Sequence, residues 1–531
     1  MLTIKKRPVL AGADALRYNA SPVSKRFYIT TAIDYVNGEP HLGHAYEKIV
    51  ADVIVRVRRA LGEPSFFLTG LDEHGQKVQQ AAATAGKEPQ IYCDELAQTW
   101  QAFAGKLCIT NDDFVRTTQP RHKQVVQALL QQLHDQGEFY KGEYVGYYSP
   151  KQESFLTERD RNPDGTFDAL YGEVTQLREE NYYFKLKHHQ QWLIDYIEAN
   201  PDFVAPRFRC NEVLGFLKNN ELEDLCISRP KNRLAWGIPL PFDADYVTYV
   251  WFDALVNYIS VPMARGEESA VWPADVHVIG KDILKFHAVY WPIMLKAAGR
   301  ALPKQILVHG WWQKDGQKMS KSTGNVVDPV KVIDDWGVDA FRYYVLRELA
   351  IGPDGNWTAE GFEARYTAEL ANGLGNLINR SLSMLGRYRA GVVPARHDEL
   401  CADAQRAQAA LLEQLRGNEL QAALISIWSY IARVNQYVDQ TQPFKLAKDA
   451  AQSQRLDEVL YNLTESCRLI ATWIQPFLPD TSQRIFEQLA LPADAQSFSG
   501  AAWGGLTAGH KIGAPVPLFP RRDKPPVAAN S

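Results

Sequence analysis

Phe27-Tyr28-Ile29-Thr30-Thr31-Ala32 is a β-branched and aromatic run, and His41-Leu42-Gly43-His44 follows it after a turn-forming segment, Asp34 to Pro40. From Ala45 to Ala60 the apolar residues recur at helical spacing. The order strand, turn, helix sets two histidines, three apart, where a strand hands over to a helix. Free backbone N–H groups and the positive end of the helix dipole suit such a corner to phosphate. Gly43 lets a ligand or a neighbouring backbone come close. Imidazoles there can donate hydrogen bonds to phosphate oxygens as charge grows on them. Alone, H-x-G-H also fits a turn that carries two surface histidines.

Downstream, Ser65-Phe66-Phe67-Leu68-Thr69-Gly70 reads as a second strand, and helical patterns follow at Val78–Ala85, Ile91–Leu107 and Val125–Gln136. The alternation predicts βαβ units and a parallel sheet, with His41, His44 and Asp72 at strand ends where ligands bind. From 138 to 240 the pattern changes to short strands and hairpins, around Phe139–Tyr144 and the turn Asn162-Pro163-Asp164-Gly165, followed by a helix from His189 to Ala199. This stretch reads as an insertion between two halves of the sheet domain. The parallel pattern is expected to resume with Val247–Phe252, Val276–Gly280 and Gln305–Gly310. Beyond 360 strands disappear. Leu420, Leu424, Ile427, Ile431, Val434 and Val438 mark one helical face, as do Leu463, Cys467, Ile470 and Ile474, so a helical bundle is expected.

The chain has 531 residues, enough for about two to four domains. A net charge of −4 gives no global basic field, so any nucleic-acid site must be a local patch. Six cysteines without a C-x-x-C pair argue against a disulfide scaffold and a zinc knuckle, and suit a reducing compartment. No apolar run reaches the roughly eighteen residues of a membrane span. Lys5, Lys6, Arg7, Arg17, Lys25 and Arg26 make the start basic. A disordered lead-in is expected there, with an organelle transit peptide as the alternative.

Lys318-Met319-Ser320-Lys321-Ser322 follows the strand ending at Gly310, between Asp315-Gly316 and Thr323-Gly324-Asn325. The composition is that of a mobile loop, and two lysines on it can close onto a polyphosphate as pyrophosphate leaves. An H-x-G-H corner together with this pentapeptide resembles the class I aminoacyl-tRNA synthetases. Thr30–Gly38, Leu68–Gly75, Tyr249–Ala254 and Gly280–His287 further resemble segments of the methionyl-tRNA synthetase family, and the likeness runs from 27 to 480.

That resemblance implies an α/β fold: a Rossmann-like parallel-sheet catalytic domain with a mainly β connective insertion, followed by an α-helical bundle anticodon-binding domain. The expected limits are a lead-in at 1–25, catalytic halves at 26–137 and 241–324, and the insertion at 138–240. A stem-contact region at 325–360, the bundle at 361–515 and a loose tail at 516–531 complete them. It implies methionine–tRNA ligase activity, with ATP and Mg²⁺ and with initiator and elongator methionine tRNAs as partners. His41, His44, Lys318 and Lys321 would be catalytic, and Gly43, Gly280, Asp282 and Ser320 would join them around ATP. Ala32, Ile33, Tyr35, Trp251, Ala254, Leu255, Tyr258, Ile283 and His287 match methionine-pocket positions, a lining suited to a polarizable thioether. Either Tyr35 or His287 could hydrogen-bond near the sulfur. Asp72 would hold the α-ammonium group, Asp282 the ribose hydroxyls, and Arg229 the reacting groups.

Asn376 and Arg380 match the anticodon-reading pair, four apart on one helix face. Phe444 stands where the family often has Trp and can still stack on a base, without the indole donor. Arg365, Arg387 and Arg389 are further phosphate-contact candidates. Ser149 and Gln152 fall where the family's zinc-knuckle cysteines would be, and a closed zinc site needs four ligands. No structural zinc is therefore expected, as in the metal-free branch. A cytoplasmic monomer that contacts no membrane is expected. Two rivals stay open: a nucleotidyltransferase that uses the same corner, and a non-catalytic tRNA-binding relative.

Overall fold

The structure, a computed structural model, describes residues 25–36, 38–150, 154–156, 158–319, 325–498 and 501–520. Its centre is β1 (Phe27–Thr31), buried along nearly its whole length. On one side β1 pairs with β3 (Ser65–Asp72), which also pairs with β2 (Asp34–Tyr35) and β4 (Asp113–Arg116). On the other side come β12 (Val276–Gly280), β13 (Ile306–His309) and the two-residue β8 (Val204–Ala205). Every pairing in this seven-stranded sheet is parallel. Alternate side chains of each strand enter two different cores, as the strand period of two requires. Ile29, Phe67, Val278 and Leu307 face α1 (Leu42–Ala60) and a core that continues into the helical bundle. Tyr28, Phe66, Ile279 and Val308 face α4 (Pro120–Asp135), α5 (Gln190–Ala199), α6 (Arg207–Asn219), α7 (Val250–Leu255) and α8 (Asn257–Ala264).

Two parts of the 138–276 stretch differ from expectation. Val247–Phe252 is not a strand of the parallel sheet. Tyr246–Thr248 (β11) pairs antiparallel with β10 (Ser228–Pro230), and the chain then turns into α7. A continuous apolar run is buried on all sides in either conformation, so its composition does not separate strand from helix. Between 138 and 240 the chain also returns to the main sheet as β8, and α5 and α6 pack in the same core as β13. The remainder is a four-stranded antiparallel sheet of β5 (Phe139–Ser149), β6 (Ser154–Leu156), β7 (Thr175–Phe184) and β9 (Leu225–Cys226).

The far end of this sheet is held by rings and an arginine. The Arg161 guanidinium lies 5.0 Å from the Tyr147 ring centre and 5.7 Å from that of Phe167, and its Nε donates to the Gly165 carbonyl at 3.0 Å. Ser149 Oγ donates to the Tyr171 carbonyl at 2.6 Å; Gln152 lies outside the described residues. Elsewhere among the described residues, one trio of potential metal ligands comes together, His397, Glu399 and Glu458 in the bundle. Arg455 already bonds both of those carboxylates. Elemental analysis of the purified protein is expected to find no tightly held zinc. Activity should survive a chelator once Mg²⁺ is restored; about one zinc per chain would overturn this.

After β13 a small sheet of β14 (Trp312–Lys314), β15 (Gln317–Lys318) and β16 (Gly355–Trp357) leads into the bundle. Helices α11 (Pro329–Trp336) and α12 (Val338–Arg347) precede β16. The bundle contains α13 (Ala359–Arg365), a π-helical stretch Tyr366–Gly375, α14 (Asn376–Arg389), α15 (Cys401–Arg416), α16 (Leu420–Thr441), α17 (Pro443–Leu446), α18 (Ser453–Ile474) and α19 (Pro479–Gln488). The two apolar faces expected on α16 and α18 are buried.

Arg342 of α12 joins the bundle to the sheet domain. Its fully buried guanidinium bonds Asp52 of α1 at 2.7 Å, Leu107 O at 2.9 Å, Phe477 O at 2.9 Å and Pro476 O at 3.1 Å. Among the described residues no helix is long and apolar enough to cross a membrane.

Candidate active site

The carboxyl ends of β1, β3, β12 and β13 lie along one edge of the sheet, and the strand order reverses direction at β1 and β12. A crevice opens at such a switch point. On its first side stands the start of α1, built by the two histidines themselves. His41 is the N-cap, and its Nδ1 accepts from Gly43 N at 3.1 Å; His44 Nδ1 accepts from His41 N at 3.2 Å. This is a reciprocal capping box in which imidazoles replace the usual hydroxyl and carboxylate. The rings stack at 3.6 Å, and His44 rests edge-on against Trp100 at 4.8 Å. Because both Nδ1 atoms accept, each neutral ring carries its proton on Nε2.

Behind them Asp34 sits 3.9 Å from His44 Nε2 and bonds the fully buried ammonium of Lys48. Burial pushes the Asp34 carboxyl up to about 7, with Lys48 pulling the other way. The sequence offers one signal for this pair: Lys48 falls one turn after His44 within an apolar run.

Asp72 ends β3 and pairs in register with Tyr35 of β2. Two residues on, His74 Nδ1 lies 2.6 Å from Asp253 Oδ2, and His122 Nε2 lies 2.6 Å from Asp253 Oδ1. His122 Nδ1 reaches Ser260 Oγ at 2.9 Å. Burial raises the Asp253 carboxyl, but His74 and His122 outweigh it and leave it at about 2. This buried trio ties Asp253 of α7 to His74, just beyond the end of β3, and to His122 of α4. Sequence reasoning missed it because the three residues are far apart in the chain.

Ala32, Leu255 and Tyr258 are buried in one apolar cluster, with Ile33 and Ile283 packed on it, and Ala254 is also buried. Trp251 stacks flat on Phe286 at 3.7 Å. His287 Nδ1 lies 3.0 Å from the Ile283 carbonyl and so donates to it; Nε2 then accepts from the Tyr258 hydroxyl at 2.7 Å. His287 is thus committed to Tyr258, while Tyr35 has the ammonium of Lys77 5.4 Å from its ring centre. Burial lowers His287 to about 4. The unfolded chain, with an ordinary histidine near 6.5, binds the proton that the folded chain refuses. Stability is therefore complete above pH 6.5 and is lost as the pH falls through 6.5 towards 4. The midpoint of urea unfolding should drop between pH 7 and pH 4.5, and His287→Gln should flatten that drop; an equal slope in both proteins would contradict the assignment.

On the second side, Gly280 ends β12 and Asp282 follows it on a short 3-10 turn. His309 ends β13; its Nδ1 donates to the Gly310 carbonyl at 2.8 Å and its Nε2 meets Glu47 of α1 at 3.2 Å. Both ring nitrogens face acceptors, and Glu47 raises the imidazole's pKa against the effect of burial. Arg229 is buried, donates to the Ser228 carbonyl at 2.7 Å and lies 4.8 Å from the ring centre of Tyr249, at the start of α7. The backbone of Lys318 pairs with Gln313, and Met319 packs partly buried on the larger core. Ser320 and Lys321, as well as the Lys318 side chain, lie outside the described residues.

In the bundle, Asn376 and Arg380, half-buried, lie on the first turns of α14. Arg380 Nη2 lies 3.4 Å from Asp439 near the end of α16, and Phe444 is 43 % exposed on α17 just beyond. The ion pair brings the three expected anticodon residues to one end of the bundle. Arg365 and Arg389 are engaged with carboxylates, Glu348 and Glu369 for the first and Asp457 for the second, whereas Arg387 is exposed.

A family model described as tRNA synthetases class I (M) matches residues 27–163 and 161–382. The chain is 42 % identical over 513 residues to the methionine–tRNA ligase of Fusobacterium nucleatum subsp. nucleatum, covering 94 % of this chain and 80 % of that one. It is 41 % identical over 524 residues to that of Bacillus subtilis, covering 93 % and 78 %. Among solved structures, Mycobacterium tuberculosis methionyl-tRNA synthetase in complex with methionyl-adenylate superposes with a TM-score of 0.87 at 38 % identity, over 94 % of this chain and 100 % of that one. The free form of the same enzyme gives 0.82 at 35 % identity, over 94 % and 99 %.

Proposed function

The chain belongs to the methionyl-tRNA synthetases of class I, and from that premise we propose which of its residues carry the two reactions. It is a methionine–tRNA ligase: methionine and ATP give methionyl-adenylate and pyrophosphate, and the methionyl group then passes to the terminal ribose of the methionine tRNA. In the first step a methionine carboxylate oxygen attacks the α-phosphorus and the bond to pyrophosphate breaks in line. The work left to the protein is alignment and charge stabilisation.

The histidine capping box carries this assignment of roles. It holds two Nε2–H donors and the positive end of the α1 dipole at the crevice, where the α- and β-phosphates would lie. Lys318 and Lys321 would neutralise the departing pyrophosphate from their loop, and Ser320 would hydrogen-bond it. The Asp72 carboxylate would hold the methionine ammonium. Tyr258, locked by His287, would form the end of the thioether pocket with Ile33, Trp251 and Ile283. Arg229 would approach the carboxylate from β10. Gly280 and Asp282 would take the nucleoside, and Mg²⁺ would arrive with ATP. In the bundle, Asn376, Arg380 and Phe444 would read the anticodon shared by initiator and elongator tRNAs.

Methionine-dependent ATP–pyrophosphate exchange tests the first step apart from the second. Exchange without tRNA, together with methionylation of a methionine tRNA, is the expected pair. ATP–pyrophosphate exchange that ignored methionine would return the nucleotidyltransferase alternative.

A further inference from the structure

Trp311 lies between the ATP side of the crevice and the start of the small sheet that bears the lysine loop. Its main chain is held on both sides: Trp311 N donates to Asp354 Oδ1 at 2.9 Å, and Gly355 N donates to Trp311 O at 2.8 Å. The approach that permits this depends on Gly310, where a Cβ would fall 2.0 Å from the Pro353 carbonyl oxygen. The ring is held as well. Lys281 Nζ stands 4.2 Å from its centre and 2.7 Å from Asp354 Oδ2. Asp354 thus grips the Trp311 backbone with one oxygen and, through Lys281, the Trp311 ring with the other. A lysine over an indole face is a favourable cation–π contact.

The ring so fixed has one polar atom to offer, and it is spent on the nucleoside side. Indole Nε1 donates to Asp282 Oδ1 at 3.1 Å. Asp282 is exposed, on a short 3-10 turn after β12, where a carboxylate would otherwise sample several rotamers. Gly280 adds a second restriction, since a Cβ there would come 2.6 Å from the same Oδ1. We propose that Trp311 is a positioning residue for the ribose of ATP: its N–H fixes the Asp282 carboxylate so that the other oxygen accepts from a ribose hydroxyl. The inference rests on the assignment of Asp282 to the ribose. Pre-orienting an acceptor before the ligand arrives removes part of the entropy lost on binding.

The experiment measures methionine-dependent ATP–pyrophosphate exchange with ATP, 2′-deoxyATP and 3′-deoxyATP in wild type, Trp311→Phe and Asp282→Asn. Phenylalanine keeps a ring beneath Lys281 and removes only the N–H. For Trp311→Phe the KM for ATP should rise about tenfold while kcat changes less than threefold, as for a lost hydrogen bond to a charged group that acts in binding. The preference for ATP over at least one deoxy analogue should shrink by a similar factor. A merely loosened loop would raise all three KM values together and leave that preference intact, which overturns the proposal. If Asp282→Asn abolishes the preference and Trp311→Phe retains it, the role of Trp311 is overturned and the ribose assignment stands. If Asp282→Asn retains the preference for ATP over both analogues, the ribose assignment itself falls, and the proposal with it.

Discussion

His44→Ala and Lys321→Ala should each slow adenylate formation by about two orders of magnitude, the size expected when a donor aimed at developing phosphate charge is removed. Methionine affinity should change little, because the pocket around Tyr258 and His287 lies on other elements. His44 has a second duty that the experiment must separate: its Nδ1 closes the capping box on His41 N. A lost cap destabilises a helix by about 1 kcal/mol. His44→Asn is the informative companion, since an amide oxygen can replace Nδ1 as the acceptor but cannot replace the Nε2–H donor. It should keep wild-type thermal stability and still lose the rate. Rates within twofold of wild type for the histidine and lysine variants alike would remove both residues from the chemistry.

Arg380→Ala should divide the two half-reactions. Arg380 sits on α14 in the bundle, and its ionic partner is Asp439 of α16, also in the bundle. ATP–pyrophosphate exchange should therefore stay close to wild type. Methionylation should fall by about ten- to a hundredfold, the loss of a base contact of about 1–3 kcal/mol, mostly through weaker use of tRNA. A tRNA with a swapped anticodon, already poor for the wild type, should lose little more. Equal damage to both half-reactions, or unchanged discrimination between anticodons, would show that Arg380 is no reader.

What the sequence disclosed depended on how local its signal was. The histidine corner is local: a β-branched run, a turn, Gly43 and a helical period lie within forty residues, and the structure caps α1 as that order demands. The lysine loop is equally local. Val247–Phe252 misled because fully buried strand and fully buried helix share a composition; what decides the helix there is Asp253, which must reach His74 and His122. That need is invisible without the third dimension. The two-residue β8 offers too short a pattern to register, although it forms the edge of the main sheet. Lys48, Asp52, Asp253 and Arg342 share one feature that could have been used: each is a charge inside an otherwise apolar run, and every one proves to be buried and bonded.

Arg342 bears on how separable the two lobes are. A chain cut after α12 would leave its guanidinium without Phe477 O and Pro476 O, and would lay bare the continuous core on which α1 and α12 rest. A chain begun at α13 would leave those two carbonyls without their donor. Neither piece is a module in the sense of something that can be lifted out, expressed alone and grafted onto a relative's other half. Drift at Asp52, Leu107, Arg342 and the Pro476–Phe477 turn is coupled, because a change in any one strands a buried polar group on another. Lineages that exchange bundles by recombination would have to carry this junction across intact, so the heritable unit is the pair of lobes rather than either one.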